Sequence, residues 1–430
     1  MAFDSAKLYH SVTLDKEKCK GCTACLKRCP TEAIRIRDGK AQIIKRLCID
    51  CGECIKVCPY HAKQAVTDTF DDLKKYKYNI ALPAPALYGQ FYNLKDIDYV
   101  LNGLLELGFD EVFEVAKATE PITDYTKRLL KEGKLEKPII NSACPAVLRL
   151  ICVRFPSLIS HILPVIAPVE AAALAARRQA AEKTKLLPNE IGVFFISPCA
   201  AKATTVHNPI GITESPISGV LSMKSVYMKL LPTLSKIKEI KPISTSSIEG
   251  INWARIGGEV KALSTQKTLC VDGIDNVISL FEEIEDAEKL DIDFIEALSC
   301  SGGCISGPLT VENGYVAKMR VVEVARLQNQ KNLPRTPIAS LSEDDLCWNK
   351  EVTYRGTMLL DDDFSVAMQK MEQMEKIYES LPQIDCGSCG SPTCKCMAED
   401  IVRGNASETD CIHKMREQIY SLTHHGEEKQ

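Results

Sequence analysis

The run Cys19-Lys-Gly-Cys22-Thr-Ala-Cys25-Leu-Lys-Arg-Cys29-Pro30 recurs 29 positions later as Cys48-Ile-Asp-Cys51-Gly-Glu-Cys54-Ile-Lys-Val-Cys58-Pro59. A repeat at fixed spacing marks one structural unit used twice. Between the copies, Ile34 to Ile43 alternates apolar and polar residues around Asp38-Gly39. That pattern predicts a β-hairpin with a primed two-residue turn. The whole chain holds 20 cysteines against seven histidines. Cysteines clustered this closely favour metal ligation over disulfides, as expected in a reducing compartment.

Outward from this run, 430 residues at 45% hydrophobic and 26% charged describe a globular chain large enough for several domains. With 57 acids against 53 bases the net charge is -4, and no long basic run offers a surface for nucleic acid. The most apolar stretch, Ile162 to Ala176, is too short to span a bilayer and is interrupted by Pro164, Pro168 and Glu170. The opening MAFDSAKLYH has no apolar core of the kind an export signal needs, so a cytoplasmic location is expected.

The doubled cysteine run resembles that of the bacterial two-cluster ferredoxins. There, three closely spaced thiolates grip one four-iron cluster and the cysteine before Pro ligates the other. Cys19, Cys22, Cys25 and Cys58 would then form one set, and Cys29, Cys48, Cys51 and Cys54 the second. A pair of zinc knuckles is the alternative, but zinc pairs usually stand far apart. Two adjacent clusters carry electrons and say nothing of the chemistry they serve.

From about residue 77, apolar runs (Asn79–Leu82, Glu111–Phe113, Pro138–Ile140, Ile191–Ile196, Ile292–Leu298) alternate with helical patterns such as Ile97–Leu107 and Val169–Lys183. This predicts an α/β core with largely parallel strands. Three strands run directly into cysteine: Cys144 in NSACPAV, Cys199 in FFISPCAAK, and Cys300 with Cys304 in EALSCSGGCISGP. Ligands in open α/β folds bind beyond the carboxyl ends of strands, so these four thiolates would meet in one crevice and hold a four-iron cluster. Gly302, Gly303 and Gly307 suit a backbone wrapped closely around something bulky. Cys152, Cys270 and Cys347 lack such a setting and read as small buried hydrophobes.

NSACPA, SPCAAK and the spacing of Glu296, Cys300, Gly303, Cys304 and Gly307 resemble, in order, the three signature segments of the iron-iron (FeFe) hydrogenases. The resemblance covers roughly residues 10 to 350. It implies reversible splitting of H2 at a four-iron cluster linked to a diiron unit that carries CO, cyanide and an amine dithiolate bridge. Cys304 would bridge the two, with Cys144, Cys199 and Cys300 completing the set. Lys202 matches the lysine that pairs with one cyanide, and Ala84-Pro85-Ala86 is similar to the segment that contacts the other through its backbone. A buried anionic ligand needs such a compact charged donor.

Several positions depart from the family pattern. The usual proton-relay cysteine is replaced by Ala143, which carries no proton. Loss of a general acid–base group typically removes 10²–10⁴-fold of rate, which predicts low turnover unless another route exists. Ser197 stands where a methionine is usual, Thr205 where a glutamate is, and the third segment's glycines shorten to Gly307-Pro308. The family's acidic pair should fall near Glu120 to Thr126, read here as a solvated loop, the alternative being a different proton path through Asp124 or Tyr125. The alanine places the chain with a divergent branch proposed to sense hydrogen, where flux is not required.

Beyond the resemblance, Phe364, Ala367, Met368, Met371, Met374, Ile377, Tyr378 and Leu381 recur at helical steps behind Asp361 to Asp363, and the stripe reads as core. Pro382 ends that helix, and Cys386, Cys389, Cys394 and Cys411 follow, similar to a small four-iron module. Zinc is the alternative there, and Cys396 could replace Cys394 as ligand.

The expected fold class is an α+β multidomain protein. Its parts would be a ferredoxin-like two-cluster domain over 1–70, a central α/β hydrogenase domain with largely parallel sheets over 77–350, a helical connector over 351–382 and a small C-terminal iron–sulfur module over 383–430. Three accessory four-iron clusters would serve the active site. Expected partners are H2 and protons, a ferredoxin-like or signalling redox protein, maturation proteins for the diiron unit, and no nucleic acid or membrane; a homodimer is compatible with the sequence. The leading function is slow H2 chemistry in hydrogen or redox sensing. The alternatives are bulk H2 turnover, or an assembly or electron-transfer protein without a diiron unit.

Overall fold

The computed structural model describes residues 9–286, 291–331, 337–357 and 359–424. Its backbone divides into two compact units, one joining residues 1–48, 53–64 and 355–430, the other joining 49–52 and 65–354. The fold is α+β and multidomain, with parallel sheets in the larger unit.

In the first unit, strand β1 (Val12–Leu14) pairs with β4 (Lys63–Ala65), and β2 (Ile34–Arg37) pairs antiparallel with β3 (Lys40–Ile43). Asp38 and Gly39 between β2 and β3 have φ of 51° and 68°, the two positive values that a type I′ turn requires. Each half of the repeat contributes one short helix, Ala24–Lys27 carrying Cys25 and Glu53–Lys56 carrying Cys54, and the two pack together. The C-terminal segment of the chain belongs to the same unit. Its helix Phe364–Ser380 is capped by Asp363, whose carboxylate accepts the Val366 amide at 3.0 Å. Only half of the expected apolar stripe is core: Met374, Ile377 and Leu381 are buried against Met397 and Ala398, while Phe364, Met368 and Met371 are exposed. The reason is local, since the helix Cys394–Val402 packs against it and covers one part of the face only.

The second unit is built on two parallel sheets. The larger has the order β6 (Glu111–Val112), β5 (Tyr78–Pro83), β8 (Ile191–Ser197), β9 (Gly219–Ser222). The smaller has the order β10 (Thr268–Asp272), β11 (Phe294–Leu298), β7 (Ile139–Ile140). All seven residues of β8 and all five of β11 are buried, the continuous apolar burial expected of strands covered on both faces. The helix Pro168–Thr184 begins with Pro at its first turn and ends at Lys185 in the left-handed conformation. Its buried alanines, 171, 172, 173, 175, 176 and 180, let it lie close on the sheet. Among the described residues, no helix is long and apolar enough to cross a membrane.

One buried carboxylate ties distant segments of this unit together. Asp98, 2% exposed, accepts the amides of Ile243 (2.9 Å) and Ser244 (2.7 Å), the Ser244 hydroxyl (3.1 Å) and the Lys331 ammonium (2.7 Å). Lys331 keeps Asp96 as a partner at 2.7 Å, but removing the carboxylate strands the Ile243 and Ser244 amides, so Asp98→Ala is expected to destabilise the protein by about 1–3 kcal/mol for each stranded donor. Urea titration of the variant checks this, and an unchanged midpoint would contradict it.

Candidate metal centre and its cavity

The signature segments sit at carboxyl ends of strands from both sheets. Strand β5 leads into Ala84-Pro85-Ala86, β7 into Asn141 to Cys144, β8 into Pro198-Cys199 and β11 into Ser299-Cys300. Cys144 and Cys199 are the residues that immediately precede helices Pro145–Arg154 and Ala200–His207. A helix N-terminus favours negative charge on such a thiol. The helix bearing Lys202 is held from behind by buried Arg149, which donates to the Ala201 carbonyl at 3.0 Å and the Asn208 carbonyl at 3.1 Å.

The structure brings the four strand-end cysteines to Lys202. Burial pushes the lysine's pKa down, but Cys304, Cys199, Cys144 and Cys300 together outweigh it and raise the pKa above the usual lysine range. Burial pushes the Cys199 thiol up to about 11, with Lys202 pulling the other way. Cys304 is raised by burial in the same manner and likewise opposed by Lys202. The Lys202 ammonium makes no hydrogen bond or ion pair among the described residues. Half-buried beside these thiols, the ammonium is a compact charged donor that suits an anionic group.

A pocket adjoins this centre, lined by Ala84, Pro85, Ala86, Ala143, Pro198, Lys202, Cys304, Glu259 and Glu296, among others. The two carboxyls are the feature that the sequence reading missed as a functional pair. Both are buried, and burial first, then their mutual repulsion for Glu259, pushes them above the ordinary carboxylate range. Glu259 accepts the Asn141 side-chain amide at 2.7 Å, and Asn141 also accepts the Ala297 amide at 2.9 Å. Glu296 accepts the amides of Gly257 and Val260, each at 2.9 Å, and Cys270 stands 4.0 Å from it. A signal existed in part, because Asn141 and Glu296 both fall inside signature segments.

Other sequence-predicted positions are placed as follows. Ala143 lines the cavity with its methyl group. Ser197 is fully buried, and its hydroxyl bonds the backbone of Cys199, donating to the carbonyl and accepting from the amide at 3.0 Å each. Thr205 lies in a second cavity with Lys202 and Glu170, and burial pushes the Glu170 carboxyl up to about 7 against the opposing Ala167 amide and Lys202. The glycines serve backbone packing: a Cβ on Gly303 would meet Arg255 Cα at 2.7 Å, and one on Gly307 would meet the Pro198 carbonyl oxygen at 2.2 Å.

Two expectations are corrected. Glu120 to Thr126 form part of the helix Thr119–Glu132, with Tyr125 and Thr126 buried and Asp124 exposed. Proline at position 121 occupies the first helical turn, where it removes no needed donor. Of the three cysteines read as buried hydrophobes, only Cys152 is buried. Cys270 is exposed, and Cys347 is half-buried with its sulfur 2.6 Å from the Tyr125 hydroxyl.

Two of the accessory cysteine groups gather locally. Burial raises the Cys25 pKa, Lys63 opposes, and Cys58, Cys22 and Cys19 add to the rise, so these four thiols form one nest. At the other end, burial raises the Cys389 pKa, with Cys386 and Cys411 contributing. Cys394 packs with Cys389 and Cys411. Cys396 points elsewhere, its sulfur 3.0 Å from a Glu32 carboxylate oxygen.

The model of the iron only hydrogenase large subunit, C-terminal domain, matches residues 77–224 and 217–308, more than half of the chain. The chain belongs to the iron-only hydrogenase family. Residues 11–59 match a 4Fe-4S dicluster domain and residues 381–413 an Fe-S cluster segment. A comparison with curated proteins returns no match. Among solved structures, the chain is similar to a variant of the FeFe-hydrogenase HydA1 from Chlamydomonas reinhardtii, at 15% identity and a TM-score of 0.50, covering 66% of this chain and 98% of that one. An apo form of another HydA1 variant from the same organism is 16% identical, with coverage of 66% and 96% and a TM-score of 0.48. Similarity at this identity establishes the hydrogenase fold. The segments outside 77–308 add iron–sulfur sites to it.

Proposed function

We propose that this hydrogenase-family chain interconverts H2 with protons and electrons, slowly, as a hydrogen or redox sensor. The observation that carries the reading is the half-buried Lys202 ammonium set close to the thiols of Cys304, Cys199, Cys144 and Cys300. These residues would hold a four-iron cluster and an adjoining diiron unit, with Cys304 linking them and Lys202 and the backbone of Ala84 to Ala86 available to its anionic ligands. When bound, that unit supplies the chemistry of H2 cleavage and proton reduction. The protein holds the charge of Lys202 in place, keeps the cavity largely apolar and offers two carboxyls to hold and pass protons. Three accessory four-iron clusters, on the doubled run and on Cys386, Cys389, Cys394 and Cys411, would carry the electrons to or from a redox partner.

Slow turnover follows from Ala143, which leaves the shortest proton step without a titratable group. Glu259 and Glu296 support a substitute route. An enzyme of bulk H2 turnover is the second reading, and that same pair favours it. Infrared spectra of the loaded protein under argon and then H2 test the proposal: CO and cyanide bands that shift on H2 are expected. Their absence in protein with intact iron–sulfur clusters would leave only assembly or electron carriage. Ala143→Cys should raise turnover on the order of 10²-fold, the low end for a general acid–base group. If the unaltered protein already turns over as fast as ordinary family members, sensing is the wrong reading.

A further inference from the structure

The C-terminal module is attached to the doubled cysteine run by an ion cluster that is itself buried. Arg35 and Asp400 are 5% and 4% exposed, and one Asp400 oxygen receives Arg35 Nε at 2.5 Å, Arg37 Nη2 at 2.9 Å and the Ser391 hydroxyl at 2.8 Å. A buried charge set of this kind stabilises only when its geometry is complete, and its best-attested use is to impose register.

The register it imposes sets ligand loop against ligand loop. The Ile36 amide donates to the Gly390 carbonyl at 2.8 Å, and a Cβ on Gly390 would lie 2.1 Å from the Ile36 carbonyl oxygen, so only glycine lets this loop rest on β2. Arg37 donates to the carbonyl of Cys389 itself at 3.1 Å. Lys27, between Cys25 and Cys29, donates to the carbonyl of Asp385, which precedes Cys386, and to that of Pro392 at 3.1 Å. Cys396 meets Glu32, whose own amide donates to the Cys29 carbonyl at 3.1 Å. The residues flanking cluster ligands on each side thus touch directly, with no other element between them.

We propose that the C-terminal module is a resident electron partner of the N-terminal clusters, docked by the Arg35–Asp400–Arg37 clamp so that its four-iron cluster exchanges electrons with theirs. The inference rests on the iron assignment in the proposed function. In each exchange one electron leaves a reduced cluster, which is oxidised, and enters an oxidised cluster, which is reduced. No bond is made or broken and no proton moves. Oxidation of H2 supplies the electrons. The clamp residues are positioning residues.

Electron paramagnetic resonance of the reduced, fully loaded chain, with iron and zinc measured alongside, tests this. In the unaltered protein the N-terminal signals are expected to be broadened by a neighbouring spin. Cys411→Ser should remove the C-terminal cluster, narrow those signals and let them saturate at lower microwave power. Asp400→Asn should lose the same broadening while its iron content stays unchanged. Broadening that persists in Asp400→Asn overturns the clamp's role, and signals unaffected by loss of the C-terminal iron overturn the exchange. Zinc in place of iron at the C-terminal site would show instead that the iron assignment itself had failed.

Discussion

Lys202→Met is expected to yield a protein that keeps its accessory iron–sulfur clusters and fails to retain the diiron unit. The ammonium is half-buried, and the neighbouring Cys304, Cys199, Cys144 and Cys300 outweigh burial and hold its pKa above the usual lysine range. Methionine has a similar length and no charge, so the substitution removes the cation that, among the described residues, faces any anion held there. Breaking a buried charge pair costs about 3–5 kcal/mol, which corresponds to roughly 10²–10⁴-fold weaker retention. The readouts are infrared intensity in the CO and cyanide region and iron content after gel filtration. Full-intensity bands in the variant would remove Lys202 from the proposed role.

Glu259→Gln is expected to lower turnover by about 10²–10⁴-fold while leaving the infrared bands in place. Glutamine keeps the hydrogen bond from Asn141 and has no proton to pass. Stability separates this from a structural defect. A carboxyl whose pKa is raised in the folded state binds its proton more tightly there than in the unfolded chain, so stability falls as pH rises from the unfolded pKa through the folded one. Glu259 and Glu296 are both raised, chiefly by burial. Replacing one of them removes that loss, and the variant should melt a few degrees higher than the unaltered protein at alkaline pH. Reduced activity together with lower stability at alkaline pH would mark a packing residue instead.

Much of this molecule is legible from residue order because much of its information is local. Cys19, Cys22 and Cys25 need only one loop to face a common centre, and spacing alone reveals such a set. The Asp38-Gly39 turn is equally local, since its positive φ values are demanded by two adjacent residues. Continuous apolar runs such as Ile191 to Ile196 likewise announce strands buried on both faces. The Met stripe of Phe364–Ser380 was only half read, because periodicity defines a face and leaves open what covers it.

The sequence by itself determined the doubled cysteine run, the alternation of strands with helices, and the substitutions at 143, 197 and 205. Tertiary structure alone decided which carboxyls reach the cavity and which residues join the two ends of the chain. Asn141 and Glu259 are 118 positions apart, and Arg35 and Asp400 are 365 apart. No period or motif links such partners. Their pairing arises when strands from two sheets end at one place, and when one end of the chain packs on the other, where burial removes water and makes each charge dependent on the neighbour that the fold supplies.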